Sequence, residues 1–516
     1  MRLACEFSRY EGQRRATLDN SSVFHRVSAV GPFPVCRRVS FREIHLVLNP
    51  AGIQFTGHGG GSDISSSGNI DYNDRLGGNM KSWMRFAAAL LGVSVLSAYS
   101  ALGQNLPAAA PESVGMSSAK LDNIKKTLQA EVDKGHIPGA VVLINRKGKL
   151  VYSEAVGYQN KDANLPMKKD ALFRIYSMTK PLAAVAAMIL EEEGKIVLAD
   201  PVSKYLPEFA NVQVCNASKN ADGKIVCALI PADKPITLQD LLRHTSGIGY
   251  GETTKNSVIR NAYIEAGLYV DGGTDYDQRR VLPKDEITGL SKAPLSSQPG
   301  TNWEYGMSMD LMGRIIEVVS GQSLSEFMNQ RIFLPLQMRD TDFYVRANKQ
   351  PRLAEPFKTD PFTNNPIKLI EVTKVPNNEG AGSGAVSTAA DYMNFASMLL
   401  NGGTLNGKRI LSPMTIALMT SDQLGNRTTI PLSPGQLMLG VDGYTFGLGF
   451  MVRQSDGLAS VQGSPGEFLW GGAAGTFFWV DPKEQLAVVL MSQVPGPIRP
   501  HYRRLIKEMV SAAVVN

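Results

Sequence analysis

The sequence predicts an α+β fold: an antiparallel sheet flanked by helices from the two ends of the domain, with a mostly helical lobe inserted between sheet segments. Two observations carry this. Strand-like apolar runs occupy residues 140–157 and return at 444–492, while the text between is helix and loop. Short turns join the runs, Arg146-Lys147-Gly148-Lys149 early and Asp481-Pro482 late, which makes neighbouring strands antiparallel. Strands at both ends with helices between imply that the ends meet in one sheet, leaving residues of about 196–375 as a separate lobe.

Residues 1–79 are rich in Arg, Ser and Gly and show no sustained period, so they are expected to be a non-native or disordered extension. Met80 begins different text. Lys81 and Arg85 form a basic start, Phe86 to Leu96 an apolar core, and Ala101-Leu102-Gly103 a small-residue cleavage site before Gln104. That is the layout of a signal peptide of bacterial type over residues 80–103, with a core too short to span a bilayer. Translation is therefore expected to start at Met80, giving a periplasmic or secreted protein without a stable membrane span.

From Ser117 to Lys134, Leu121, Ile124, Leu128 and Val132 recur at helical spacing. Strands follow at 140–145 and 150–157, and a helix at Leu182 to Glu193, which Gly194 ends. Thr237 to Gly247 reads as a capped short helix with a glycine exit. Further helices are predicted at Leu311–Ser320, Leu324–Phe333, Asp391–Leu400 and Tyr502–Val514, and late strands at 444–452, 475–480 and 485–492. No internal repeat is present.

The chain has 516 residues, 43% hydrophobic and 19% charged, ordinary for a globular protein. Of its 53 Lys+Arg and 47 Asp+Glu, 11 and 7 lie in residues 1–103, which leaves a net charge near +2 for residues 104–516. No basic cluster with interleaved aromatics occurs, so a nucleic-acid partner is not expected. Past residue 103 the only cysteines are Cys215 and Cys227, flanking the turn-like Asn220-Ala221-Asp222-Gly223. In an exported chain these favour a disulfide. His136, His244 and His501 have no spacing suited to a metal, and no cofactor is predicted.

The chemistry starts at Ser177-Met178-Thr179-Lys180, placed at the start of a helix whose first turn accommodates Pro181. Positions i and i+3 share a helix face, so Ser177 and Lys180 can meet. A serine hydroxyl is a poor nucleophile until a neighbouring base takes its proton. Burial and a helix N-terminus both disfavour an ammonium, which suits Lys180 to that task. Gly-x-Ser-x-Gly is absent, which excludes the nucleophile elbow of α/β-hydrolases. Two more elements follow, Trp303-Glu304-Tyr305-Gly306-Met307 and Glu467-Phe468-Leu469-Trp470-Gly471-Gly472-Ala473-Ala474-Gly475-Thr476.

With these three elements in this order, residues 110–514 resemble the serine β-lactamase and penicillin-binding-protein superfamily, specifically its class C-like branch and most nearly the family VIII esterases. Leu241-Leu242-Arg243-His244-Thr245-Ser246-Gly247 and Gly382-Ser383-Gly384-Ala385-Val386-Ser387-Thr388 add to the likeness. The resemblance implies a β-lactamase/transpeptidase-like domain over 104–516. Within it Ser177 is the acylated nucleophile, Lys180 its activator, and Tyr305 the tyrosine that passes the proton to the leaving group. It places Trp470, Gly471 and Gly472 where β-lactamases carry Lys-Thr-Gly, as part of the substrate and oxyanion site. The backbone N–H groups of Ser177 and Ala473 are then the oxyanion donors, whose removal costs a factor of about a hundred to a thousand. His244 is not used chemically by the family.

Two departures matter. Met307 stands where β-lactamases carry Asn, and Trp470 where they carry Lys. Losing both side chains disfavours a lactam with its carboxylate and favours an uncharged acyl ester. The expected partner is a small-molecule ester or lactam, hydrolysed as by a carboxylesterase. The open alternatives are a β-lactamase, a D-amino-acid peptidase or acyltransferase of the same fold, or a non-catalytic binder of cell-wall peptide. N-terminal sequencing of the native protein is expected to begin at Gln104; a peptide from before Met80 would overturn the export reading.

Overall fold

The computed structural model describes residues 106–271, 278–426 and 428–516. The expected extension over 1–79 and the signal peptide over 80–103 lie outside the described residues. Eight strands form the main sheet: β1 (Gly139–Arg146), β2 (Lys149–Asn160), β3 (Leu165–Pro166), β4 (Tyr444–Phe446), β5 (Met451–Arg453), β6 (Phe468–Gly471), β7 (Phe477–Asp481) and β8 (Leu486–Ser492). Their spatial order is β4-β5-β6-β7-β8-β1-β2-β3. Every pairing is antiparallel.

The ends of the domain meet at the middle of this sheet, where β1 runs against β8 from the Ala140–Ser492 pair to the Arg146–Leu486 pair. Both strands are buried along their whole length. Their near-continuous apolar text, Ala-Val-Val-Leu-Ile and Leu-Ala-Val-Val-Leu-Met, is what a strand covered on both faces requires. The cover comes from the longer helices, α1 (Ser118–Asp133), α2 (Thr179–Glu192), α3 (Ser308–Ser320), α4 (Ala389–Leu400) and α5 (Arg499–Ala513). Helices α1 and α5 pack on each other and α1 packs on the sheet's first hairpin, while α4 lies against β1, β7 and β8. Helix α1 starts where the Ser117 hydroxyl accepts from the Lys120 N–H at 3.3 Å. Helix α2 is buried from Thr179 to Leu190 and packs on α3, so its unbroken apolar run reflects a central rather than a surface helix.

One expectation is corrected. The strand predicted at 444–452 is a hairpin, β4 and β5, because the chain reverses where the Gly447 N–H donates to the Phe450 carbonyl at 2.7 Å. A period-two pattern cannot distinguish one strand from two that share a face. The inserted lobe lies between the early and late sheet segments. Besides α3 it holds short helices at Leu238–Leu242, Ser257–Glu265, Pro283–Lys292 and Leu324–Met328. Residues 339–385 contain no α-helix.

The lobe also carries a two-stranded hairpin, Gln213–Lys219 with Ile225–Pro231. Cys215 and Cys227 are joined across it as a disulfide, with Cα atoms 5.0 Å apart. The Asn256 amide donates to Cys215 Sγ at 3.0 Å, and its carbonyl oxygen accepts from the Val258 N–H at 3.0 Å, tying the bridge to the helix start at Ser257. Among the described residues no helix is long and apolar enough to cross a membrane. Closing a loop this short removes about 3 kcal/mol of unfolded-chain entropy. The double substitution Cys215→Ser and Cys227→Ser is expected to lower unfolding free energy by about that amount, read from guanidinium denaturation; equal midpoints would contradict it.

Candidate active site

Ser177 lies one step before its helix rather than inside it, in the single 3-10 turn Tyr176–Met178 that leads into α2. Tyr176 adopts a left-handed φ of 44°, a conformation costing a non-glycine residue about 1 kcal/mol or more. Surrounding bonds hold it there. The Tyr176 hydroxyl accepts from the Ile370 N–H at 2.9 Å, and Thr179 Oγ1 donates to the Tyr176 carbonyl at 2.6 Å. Thr179 Oγ1 also accepts from the Ala385 N–H at 3.1 Å, and the Tyr392 hydroxyl of α4 donates to the Met178 carbonyl at 2.9 Å. The strained turn is thus clamped from the Gly382–Thr388 stretch and from α4.

Lys180, on the first turn of α2, is 1% exposed and its Nζ meets three oxygens. These are Ser177 Oγ at 3.5 Å, the Tyr250 hydroxyl at 3.0 Å and the Gly382 carbonyl at 2.8 Å. Three acceptors match the three N–H bonds of an ammonium. They equally suit a neutral amine that donates to Tyr250 and Gly382 and turns its lone pair to Ser177. The serine contact is at the outer edge of hydrogen-bond range, as catalytic contacts are before substrate tightens them. Nζ also stands 4.7 Å from the Tyr305 ring centre and 5.6 Å from that of Tyr250, where both π faces favour a cation.

Tyr250 and Gly382 meet Lys180 directly, contacts that the sequence reasoning did not assign. The glycine-flanked Gly249-Tyr250-Gly251 directly follows the Thr245-Ser246-Gly247 exit and was the available signal for the first. Gly382 is held from behind, since its N–H donates to Asp310 Oδ1 at 2.9 Å. Burial raises the Asp310 carboxyl above its ordinary range while the Lys180 charge lowers it. Burial likewise raises Glu286, and the Asp310 charge adds to that.

Tyr305 is brought to the lysine by a close backbone approach: a Cβ on Gly306 would lie 2.2 Å from the Ile248 carbonyl oxygen, so only glycine fits there. Its ring sits 4.9 Å from His244, 5.3 Å from Trp470 and 5.6 Å from Tyr250, centre to centre. The Tyr305 hydroxyl oxygen is buried and has no hydrogen-bond partner among the described residues. His244 packs under this ring fully buried, and burial, then the Lys180 charge, pushes its pKa well below the usual value. It is therefore a neutral packing partner. Glu304, bonded by the Ser296 hydroxyl, is pushed up to about 7 by burial.

The third element docks onto the serine turn. A Cβ on Gly472 would lie 2.3 Å from the Ile175 carbonyl oxygen, and Thr476 Oγ1 donates to that same carbonyl at 3.3 Å. Gly471 and Gly472 are buried, whereas Ala473 is partly exposed and packs against the cluster that contains Tyr176. The Trp470 side chain, at the position that the resemblance places in the substrate site, is turned into the interior. It is fully buried, 5.3 Å from Tyr305 and 5.2 Å from Phe446, because a side chain pointing off β6 into the lobe interface finds aromatic neighbours before it finds solvent. Met307 is fully buried at the start of α3. Among the described residues no His, Cys, Asp or Glu cluster could hold a metal.

A serine and a buried lysine one helical turn apart, held by a strained turn on a sheet-and-lobe scaffold, are the arrangement expected of a serine hydrolase. The family model described as Beta-lactamase matches residues 124–510, and the chain belongs to that family. It is 34% identical over 382 residues to an uncharacterized protein of Mycobacterium tuberculosis, covering 72% of this chain and 90% of the relative. It is 28% identical over 362 residues to esterase EstB of Burkholderia gladioli, covering 69% and 85%. Among solved structures, EstCE1, a hydrolase with promiscuous acyltransferase activity, matches with a TM-score of 0.60 at 25% identity, covering 76% of this chain and 98% of its own.

Tyr250→Phe removes one of the three oxygens around Lys180. The expected result is a loss of kcat/KM on a nitrophenyl ester of about tenfold or more, the worth of a hydrogen bond to a charged group, with little change in Tm. Unchanged kinetics would remove Tyr250 from the site.

Proposed function

We propose that the protein is an exported carboxylesterase that hydrolyses small acyl esters through an acyl-enzyme on Ser177. The observation that carries this is the buried Lys180 amine bridging Ser177 Oγ and Tyr250, with the unpartnered Tyr305 hydroxyl beside it. In acylation Ser177 Oγ bonds to the ester carbonyl carbon while its proton passes to Lys180 or Tyr305. The acyl oxygen takes up negative charge facing the N–H groups of Ser177 and Ala473. When the tetrahedral intermediate collapses, the bond to the alcohol oxygen breaks and that oxygen leaves with the proton delivered by Tyr305. Deacylation runs the same way in reverse roles: water gives its proton to the Lys180–Tyr305 pair, its oxygen bonds to the acyl carbon, and Ser177 recovers its hydrogen as the acid departs.

The ester preference is supported by Trp470 and Met307, apolar and buried at the positions where β-lactamases hold amide and carboxylate with Lys and Asn. The end of β6 beside Ser177 therefore offers backbone donors but no lysine side chain. Export is supported by the residue pattern at 80–103 and by the Cys215–Cys227 disulfide, a bond that persists in oxidising compartments. One relative's acyltransferase activity favours a second reading, in which an alcohol replaces water in the deacylation step.

Ser177→Ala is expected to lower short-chain nitrophenyl ester hydrolysis by about a thousandfold or more and to abolish labelling by a fluorophosphonate. Persistent activity and labelling would refute the assignment. A parallel panel of nitrophenyl esters, a chromogenic cephalosporin and D-Ala-D-Ala peptides is expected to rank the esters first.

A further inference from the structure

Arg503 of α5 is 3% exposed and packs against β6, where a Cβ on Gly471 would lie 2.9 Å from its guanidinium carbon. Its Nη2 donates to the Gly472 carbonyl at 2.7 Å, and its Nη1 donates to the Met438 carbonyl at 3.1 Å. One turn further along α5, Lys507 is paired with the buried Glu467 carboxylate. Arg503 has no carboxylate within ion-pair distance among the described residues. A buried cation without an anion is strongly disfavoured by desolvation, so pairing does not account for this one.

The carbonyl that Arg503 binds belongs to the peptide unit joining Gly472 to Ala473, and the N–H of that same unit is Ala473's. Drawing electron density toward a carbonyl oxygen increases the double-bond character of its C–N bond and leaves the N–H more acidic and a stronger donor. A guanidinium in a water-free setting does this more effectively than a neutral donor would. The unit is also held in place, since the Gly472 carbonyl accepts from the Gly475 N–H at 3.2 Å as well.

We propose that Arg503 is a positioning residue for the oxyanion site: through the Gly472 carbonyl it polarises and orients the peptide whose Ala473 N–H faces the acyl oxygen. This rests on the reading of Ala473 as an oxyanion donor. It assigns a role in the reaction to a residue that touches neither substrate nor Ser177.

The test uses the full enzyme and its acyl-enzyme, formed with a nitrophenyl ester carrying a 13C carbonyl and trapped at low pH. The infrared carbonyl stretch of the trapped ester reports directly on the donors that meet its oxygen. In the native enzyme the band is expected below that of the same ester in water. Arg503→Gln is expected to move it upward and to lower kcat about tenfold, with KM little changed. Arg503→Lys keeps a cation, should give an intermediate band, and serves if the glutamine variant does not fold. A band that stays at the native frequency in the folded variants, whatever happens to kcat or Tm, overturns the proposal and leaves Arg503 as a latch to Met438. A native band coincident with the ester in water would instead remove Ala473 as an oxyanion donor.

Discussion

Everything in the site depends on how one buried amine is solvated. Lys180 is withdrawn from water and given three oxygens in exchange, one from Ser177, one from a tyrosine and one from a backbone carbonyl. Withdrawing a charge-capable group without such partners would cost several kcal/mol. The surroundings are accordingly arranged to supply them. Gly382 is fixed by Asp310, Tyr250 by its loop against the Tyr305 backbone, and Ser177 by a turn that stays strained only because four elements grip it. The same three contacts serve the amine in either protonation state, which is what a group that takes and returns a proton requires.

The fold places this amine at a junction. The first and last strands pair at the centre of the sheet, and α2 leaves the sheet region with its N-terminus next to the end of β6. The serine turn and the Gly471-Gly472-Ala473 segment therefore face one another with close backbone packing, with glycine at 472 to allow it. Two N–H groups from distant parts of the chain can converge on one acyl oxygen only if both are anchored in rigid elements. The buried sheet and the all-round apolar α2 provide that rigidity.

Tyr305, Trp470, Phe446 and His244 pack as one aromatic group beside Lys180. A neutral His244 and a buried indole add no charge beside the lysine. Arg503 lies at the Gly472 carbonyl. The Trp470 indole fills the space among its aromatic neighbours.

The sequence by itself determined the class of fold and the main helices near both ends, and it nominated Ser177, Lys180, Tyr305 and the Trp470-Gly471-Gly472 segment as the candidate site. All of these are written locally, in periodicity, turns and short motifs whose chemistry survives without knowledge of neighbours. Only the tertiary structure decided that Tyr250 rather than Tyr305 hydrogen-bonds the lysine, that Gly382 is its third acceptor, and that Trp470 is packing. The same is true of the break of 444–452 into two strands and of Arg503's position at the Gly472 carbonyl. Apart from that local reversal at Gly447–Phe450, each depends on residues tens to hundreds of positions apart meeting at hydrogen-bond or van der Waals distance. Side-chain direction and burial, which settle those meetings, are properties of the packed chain and leave no signal in local spacing.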